Sequence, residues 1–380
     1  MRASIPVSAF VAAIVGFGGT LAVVVAAADA VGATQAQTAS GVTAICLAMA
    51  VETGWLSWRT RMPIISAWST PGAALVAASS GFTMADAVGA FIVAALLLVA
   101  TGLFRPLTKL VSRIPPSVAS GMLGGILVSF AINAAKTVPG DPWLILPLIA
   151  AFFVIRLFNP ALSVLAVLVG GGAAAFLTGR IGGLPAPELS TLTLTMPEFS
   201  VAATVGLAIP LYLVTMASQN LSGLAVLRAA GYHPDAGPLI GVTGLLSLLS
   251  APFGALTSNL AAISAAICTG PDAHPDPAER WKTGPFYALA YLVFAIFGAS
   301  LVAILAVLPQ HLIVLVAGLA LMAPLANALS IALGDERQRM AATTAFAVTA
   351  SGLALFGVGA AFWGLVAGLT VLALDAFRKR

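Results

Sequence analysis

Apolar runs follow one another along nearly the whole chain, parted by short polar breaks, and this repetition constrains the fold more than any single motif. About 20 apolar residues cross a bilayer as a helix. The approximate runs are 8–30, 39–57, 63–80, 85–104, 116–135, 142–157 and 160–178. A stretch rich in Gly, Pro and Thr follows at 179–198, and then come 200–228, 237–251, 252–270, 283–307, 311–333, 341–356 and 358–377. Only 8% of the 380 residues are charged, against roughly 25% in soluble domains, too few to coat a water-facing surface. The expectation is an all-α polytopic membrane protein of about fourteen spans, seven within 1–178 and seven within 197–380. The first run could pass for a signal peptide, but the series behind it argues for a retained span.

Charge placement tests the count. With the N-terminus in the cytoplasm and alternating crossings, the cytoplasmic side receives Arg2, Arg59, Arg61, Arg105, Lys109, Arg113, Arg156, Arg228, Arg280, Lys282, Arg337, Arg339, Arg378, Lys379 and Arg380. These are 15 of the 17 Lys and Arg, and only Lys136 and Arg180 fall outside. That bias is the positive-inside pattern, so both termini are expected in the cytoplasm. The net charge of +4 therefore reports topology and not a nucleic-acid partner. Seven spans per half is odd, so the second half must be inverted, a recurrent transporter architecture. Weak matches mark the repeat: GVTA at 41–44 with GVTG at 241–244, 69–75 with 257–263, and Asn133 with Asn327.

The third run, RMPIISAWSTPGAALVAAS, is short and interrupted. Ser69 or Thr70 suits an N-cap and Pro71 a first turn. An extended stretch at about 63–68 and a helix from near 70 are expected, with Gly72 opening its first turn. In the tenth run, APFGALTSNLAAISAAICTG, Ser258 or Asn259 is the expected cap, with Thr257 and Leu260 beside it. Irregular backbone at membrane depth occurs only where protein or a wet cavity satisfies it. A helix beginning there offers N–H groups and a positive dipole end, which together suit an anion. In the eighth run Tyr212, Met216 and Gln219 share a helical face, with Asn220 adjacent; helix–helix contact and substrate contact are both open to them. Phe17 and Trp68, with Phe253, are candidate walls for a flat ring, or packing residues.

Intramembrane acids mark proton paths in many transporters. Asp29 and Glu52 are the candidates, and no acid is expected beside either broken helix. Glu52 stands six residues before Trp58 and Arg59, toward the cytoplasmic interface, so it is expected to modulate coupling without being the sole proton carrier. Cys46 and Cys268 lie in apolar runs and suit buried packing. His274 with Asp272 and Asp276 suits a solvated Pro-rich loop better than a metal site. No nucleotide-binding, nucleophile-elbow or zinc motif occurs. No cofactor and no metal are therefore expected, and transport is expected to run on a gradient.

RMPIISAWSTPGAALVAAS, PLYLVTMASQNLSGLAVLRAAGY and TSNLAAISAAICTGPDAHPDP resemble the benzoate transporter (BenE) family, over nearly the whole chain. The resemblance implies proton-coupled benzoate uptake across the bacterial inner membrane. It also implies the seven-plus-seven fold shared with uracil/xanthine permeases and sulfate/bicarbonate transporters. In that fold spans 1–4 and 8–11 form a core domain. Spans 5–7 and 12–14 form a gate domain often used for homodimers, and substrate lies between broken spans 3 and 10. The uracil branch carries acids on spans 8 and 10, whereas Gln219, Asn220 and Asn259 stand nearest here. On the same fold a nucleobase or inorganic-anion permease is the alternative; a channel-like anion conductor is a different class, and an intramembrane enzyme has no visible nucleophile–base pair.

The topology is directly testable: reporters at residue 380 and within 179–198 should label from opposite sides of the membrane. Labelling from one side would refute the fourteen-span count.

Overall fold

A computed structural model describes residues 3–104 and 115–378; Arg2, Arg105, Lys109, Arg113, Lys379 and Arg380 lie outside the described residues. Among the described residues eight helices are long and apolar enough to cross a bilayer. A ninth crossing is a pair, Pro277–Ile296 and Gly298–Val307, bent by 61°. Five shorter segments complete the expected series: the broken spans 3 and 10, Pro142–Phe158 and Pro160–Leu177 as spans 6 and 7, and Arg339–Ala350 as span 13.

Both broken spans contain a strand where the sequence predicts irregular backbone. Span 3 holds β1 (Ser66–Trp68) and then a helix, Thr70–Ala77. Span 10 follows a 3-10 turn, Ala251–Phe253, with β2 (Ser258–Leu260) and a helix, Ile263–Thr269. The strands pair antiparallel, Ser66 opposite Leu260, Ala67 opposite Asn259 and Trp68 opposite Ser258. The ladder extends by one bond at each end: Ser69 N–H donates to Thr257 O at 3.0 Å, and Ala261 N–H to Ile65 O at 2.8 Å. The backbone groups of these six non-helical residues that face the partner strand are thereby satisfied without water, as membrane depth demands.

The helices pack in the pairs an inverted repeat requires. Span 2 (Gln35–Thr60) lies along span 11, and span 9 (Ala236–Ser250) lies along span 4 (Met84–Leu103). Span 5 (Pro116–Lys136) packs on span 12 (Gln310–Ala320 and Met322–Gly334), span 13 and span 14 (Ala360–Arg378). Span 1 runs as Ser4–Gly18 and Leu21–Ala30 against spans 3, 10 and 11. Span 8 covers Val201–Ala229 and contains two π turns, Thr204–Ala208 and Thr215–Asn220. The first precedes Pro210, whose missing N–H forces such a local adjustment.

Contacts between connecting loops agree with alternating crossings. On one face Ser4 Oγ donates to Ala273 O (2.9 Å), Arg61 stacks over Trp281 (4.2 Å) and Tyr232 Oη donates to Pro277 O (2.7 Å). On the other, Arg180 pairs with Asp141 (2.9 Å) and Gln37 Nε2 donates to Thr195 Oγ1 (3.1 Å). The loop of His274 is organised by the buried Arg280, which donates to the carbonyls of Thr269, His274 and Pro275.

Close approach of spans 4 and 9 rests on glycine at specific positions. A Cβ at Gly102 would lie 2.5 Å from Gly241 N, whereas one at Gly241 would meet Gly102 Cα at an ordinary 3.7 Å. Gly102→Ala should therefore lower the thermal midpoint in detergent, with overpacking costing about 1–3 kcal/mol. Gly241→Ala should be neutral or raise it by helix propensity. Equal shifts for the two variants would contradict this packing.

Candidate functional site

The span 3 break has the local chemistry that its residues predict. Ser69 caps the helix, its Oγ accepting from Gly72 N–H at 3.2 Å, and Ala73 N–H donates to Ser69 O at 2.7 Å. Pro71 has no N–H to satisfy, so Thr70, half-buried, holds the opening-turn donor that neither Ser69 nor Pro71 accounts for. Gly72 is buried, and a Cβ there would lie 2.5 Å from Leu211 Cδ1 and 2.7 Å from Ser69 Oγ. Its smallness serves contact with span 8 and the cap itself.

The span 10 break departs from expectation. Ser258 and Asn259 do not cap a helix; they lie in β2, and the helix starts at Ile263 behind Ala262, with no side-chain cap. Ladder register is the reason. Ser66 and Ser258 open equivalent strands, which makes Ala261 the counterpart of Ser69, four residues beyond the Thr257 suggested by sequence matching. The flanking bonds repeat in detail. Ser66 N–H donates to Thr53 Oγ1 and Ser258 N–H to Ser247 Oγ, each at 2.9 Å. Ser66 Oγ reaches Met49 O and Ser258 Oγ reaches Thr243 O, each at 3.2 Å. Thr53 thus corresponds to Ser247 and Met49 to Thr243, so the GVTA and GVTG motifs are not equivalent positions.

Within that symmetric frame one position differs. Glu52 adjoins Thr53, and Leu246 occupies the equivalent place beside Ser247. Glu52 is fully buried, and Ser258 Oγ donates to its Oε1 at 2.5 Å, while among the described residues Oε2 has no hydrogen-bond partner. The expectation that no acid stands beside a broken helix is therefore overturned. Glu52 is not drawn toward the interface by Trp58 and Arg59; it faces β2 from the adjoining helix. Asp29 stays exposed at the end of span 1, away from the ribbon.

Span 8 supplies the remaining contacts through its second π turn. Thr215 Oγ1 donates to Ser69 Oγ at 3.0 Å and lies 3.1 Å from Thr257 Oγ1, with all three residues fully buried. Asn220 Oδ1 accepts from Leu260 N–H at 3.0 Å, so this amide holds the outer edge of β2. Gln219 is half-buried and has no hydrogen bond among the described residues. Tyr212 turns to span 4, its hydroxyl 2.5 Å from Thr101 Oγ1. The predicted shared face of Tyr212, Met216 and Gln219 is lost because π winding shifts the phase after Thr215. Thr215 was missed for the same reason; a hydroxyl in an apolar run beside amides was its only signal. Asn259 Nδ2 donates to Leu260 O at 2.9 Å, and its buried Oδ1 has no hydrogen-bond partner among the described residues.

Aromatic rings collect on the span 1 side. Phe17 lies 5.2 Å from Trp68 and 4.5 Å from Phe294, centroid to centroid, and the Trp68 indole N–H donates to Thr20 Oγ1. Phe253 sits apart in its 3-10 turn, with its carbonyl accepting from Ser40 Oγ at 2.9 Å. A cavity of about 450 Å³ opens between Leu75, Ala78–Phe82 and Gly206 on one side and Gly125, Ser129, Asn133, Thr349 and Ala361 on the other. None of the predicted substrate residues lines it; it reaches the far end of the span 3 helix.

A profile of the family described as BenE, benzoate membrane transport protein, matches residues 2–374. The chain belongs to this family. It is 41% identical over 376 residues to an Escherichia coli K12 protein named inner membrane protein YdcO, covering 98% of this chain and 96% of that one. It is 33% identical over 368 residues to the benzoate membrane transport protein of Acinetobacter baylyi, covering 96% and 93%. The transmembrane domain of the cyanobacterial bicarbonate transporter BicA superposes with a TM-score of 0.64 over 97% of this chain and 98% of that one, at 15% identity, a likeness of fold. This BenE-family protein is a multi-pass membrane transporter and not an enzyme.

The two neighbouring amides should separate on substitution. Asn220→Ala orphans the Leu260 N–H, at a cost of about 1–3 kcal/mol, and should lower the thermal midpoint clearly. Gln219→Ala should shift it little. A larger loss from Gln219→Ala would mean that β2 is held some other way.

Proposed function

We propose that this protein carries benzoate together with a proton across the bacterial inner membrane. Family membership and the Acinetobacter relative support the substrate, and the Escherichia coli relative supports the membrane. The observation that carries the mechanism is the joining of two unlike sites by one ribbon. At the span 3 end, Ser69, Thr70 N–H and the dipole of the Thr70–Ala77 helix offer donors with no cation. Phe17, Trp68 and Phe294 form an aromatic wall suited to a ring. At the span 10 end, Glu52 meets Ser258.

The Glu52–Ser258 pair accommodates both charge states without moving a heavy atom. With Glu52 ionised, Ser258 donates to Oε1. With Glu52 protonated, its O–H donates to Ser258 Oγ, and Ser258 turns to Thr243 O, 3.2 Å away. A buried carboxyl with hydroxyl partners alone is costly to keep charged, which supports proton exchange at this position. On this reading Glu52 is the carrier, a stronger role than its sequence position suggests. Transport then proceeds by movement of a core domain, spans 1–4 and 8–11, against a gate domain, spans 5–7 and 12–14. The helix pairs 2 with 11 and 4 with 9, and the packing of span 5 on spans 12–14, support that division. The cavity of about 450 Å³ lies between the two sets.

Purified protein in liposomes should accumulate labelled benzoate when the outside is acidic, above protein-free vesicles, while benzamide is not retained. Glu52→Gln should lose gradient-driven accumulation yet keep benzoate exchange. Undiminished accumulation by Glu52→Gln would remove Glu52 as the proton carrier. Equal stabilisation of the protein by benzoate and benzamide in a thermal-shift assay would remove the anion site.

A further inference from the structure

The three hydroxyls of Ser69, Thr215 and Thr257 form a chain whose direction is set by counting protons. A hydroxyl has one hydrogen to donate and two lone pairs with which to accept. Thr215 Oγ1 donates to Ser69 Oγ at 3.0 Å, so its single hydrogen is used. The 3.1 Å contact between Thr215 and Thr257 must then be a donation from Thr257 to Thr215. Ser69 Oγ accepts twice, from Thr215 and from Gly72 N–H. Both of its lone pairs are occupied, and the Ser69 O–H can act only as a donor. Among the described residues the Ser69 O–H donates to no recorded partner, although Ser69 is fully buried.

We propose that Thr215 is a positioning residue for the substrate carboxylate: by donating to Ser69 it turns the Ser69 O–H away from span 8 and leaves it as a committed donor at the start of the span 3 helix. The inference rests on the benzoate reading above and adds a specificity device to it. Each donation polarises the next hydroxyl, so the terminal O–H is a better donor than an isolated serine. Without Thr215, Ser69 has a vacant lone pair, and Thr257 loses the acceptor that ordered the chain. Benzoate offers the missing acceptor as an anion; benzamide offers a neutral oxygen and an amide N–H that no free lone pair at Ser69 receives. The π turn at Thr215–Asn220 is what brings this hydroxyl onto the ribbon while Asn220 of the same turn holds Leu260.

Thr215→Val keeps the shape and removes the hydroxyl. Titration calorimetry on monodisperse protein should show benzoate binding weakened about tenfold or more, the size expected for a hydrogen bond to a charged group. Thr215→Ser should restore it to within a few-fold of wild type. The ratio of benzoate to benzamide affinity should fall in Thr215→Val, a readout that simple loosening of the helix would not move. Ser69→Ala combined with Thr215→Val should bind no more weakly than Ser69→Ala alone, because Thr215 acts through Ser69. Where Thr215→Val yields no monodisperse protein, Thr215→Cys takes its place, since a thiol is a weak donor. Unchanged benzoate affinity in the folded variant, or fully additive losses in the pair, overturns the proposal while leaving benzoate transport intact. Wild-type protein that binds no benzoate overturns the functional reading itself.

Discussion

The antiparallel pairing of Ser66–Trp68 with Ser258–Leu260 is the contact on which the rest of the molecule depends. Two chain segments leave helical geometry at membrane depth, where an unpaired N–H or C=O costs several kcal/mol. Each strand supplies what the other lacks, and hydroxyls and one amide from spans 2, 8 and 9 satisfy groups on the outer edges. Small residues are what let those spans come near enough. A Cβ at Gly223 would lie 2.6 Å from Leu260 Cβ, and the partner of Gly41 is the backbone at Gly254, itself in the left-handed region with φ of 85°. Glycine thus has a local meaning at these positions: Gly223 lets span 8 reach the ribbon, and Gly41 lets span 2 reach the turn before β2.

How much of this was legible in the sequence follows from how local each determinant is. The helix beginning at Thr70 was legible because Ser69, Pro71 and Gly72 are neighbours in the chain and encode a cap and a first turn among themselves. The helix beginning at Ile263 was not, because its start depends on which residues of β2 face β1, a register set by a segment far away in the chain. Ala261 and Ala262 carry no sign of it. Glu52 was found as an intramembrane acid, yet its relation to Ser258 was hidden: position along a helix does not say what the opposite element presents. Likewise an α-helical wheel groups Tyr212 with Gln219, and only the π turn reveals that Thr215 and Asn220 are the residues turned to the ribbon. The alternation of spans was readable throughout, since charge placement is a property of loops and needs no partner.

The repeat is most informative where it fails. Thr53 and Ser247, Ser66 and Ser258, and Met49 and Thr243 make matched bonds in the two halves. Against that match, the first half has a cap at Ser69 where the second has Ala261, and a carboxyl at Glu52 where the second has Leu246. A pair of identical half-sites would treat the two faces of the membrane alike and bind one kind of ligand twice. Two separate departures instead create one donor-rich end and one acidic end on a shared ribbon.

In the proposed arrangement those two ends are close enough to sense each other's charge. An anion beside Ser69 and an ionised Glu52 would repel each other; two unit charges about 10 Å apart at an effective dielectric near 20 repel by about 1.7 kcal/mol. That is somewhat more than a tenfold effect on either equilibrium, and linkage makes it reciprocal. Proton binding at Glu52 therefore strengthens anion binding, and the anion strengthens proton binding, with no conformational relay between them. The doubly loaded state carries one negative charge, the anion's, beside a neutral Glu52; the anion bound with Glu52 ionised would carry two and cost the most in a low-dielectric interior. In the proposed symport the empty protein returns with Glu52 ionised, and so carries the same single negative charge as the doubly loaded state. Coupling by this proposed route needs a single acid, so Gln219, Asn220 and Asn259 on spans 8 and 10 need not be carboxylates.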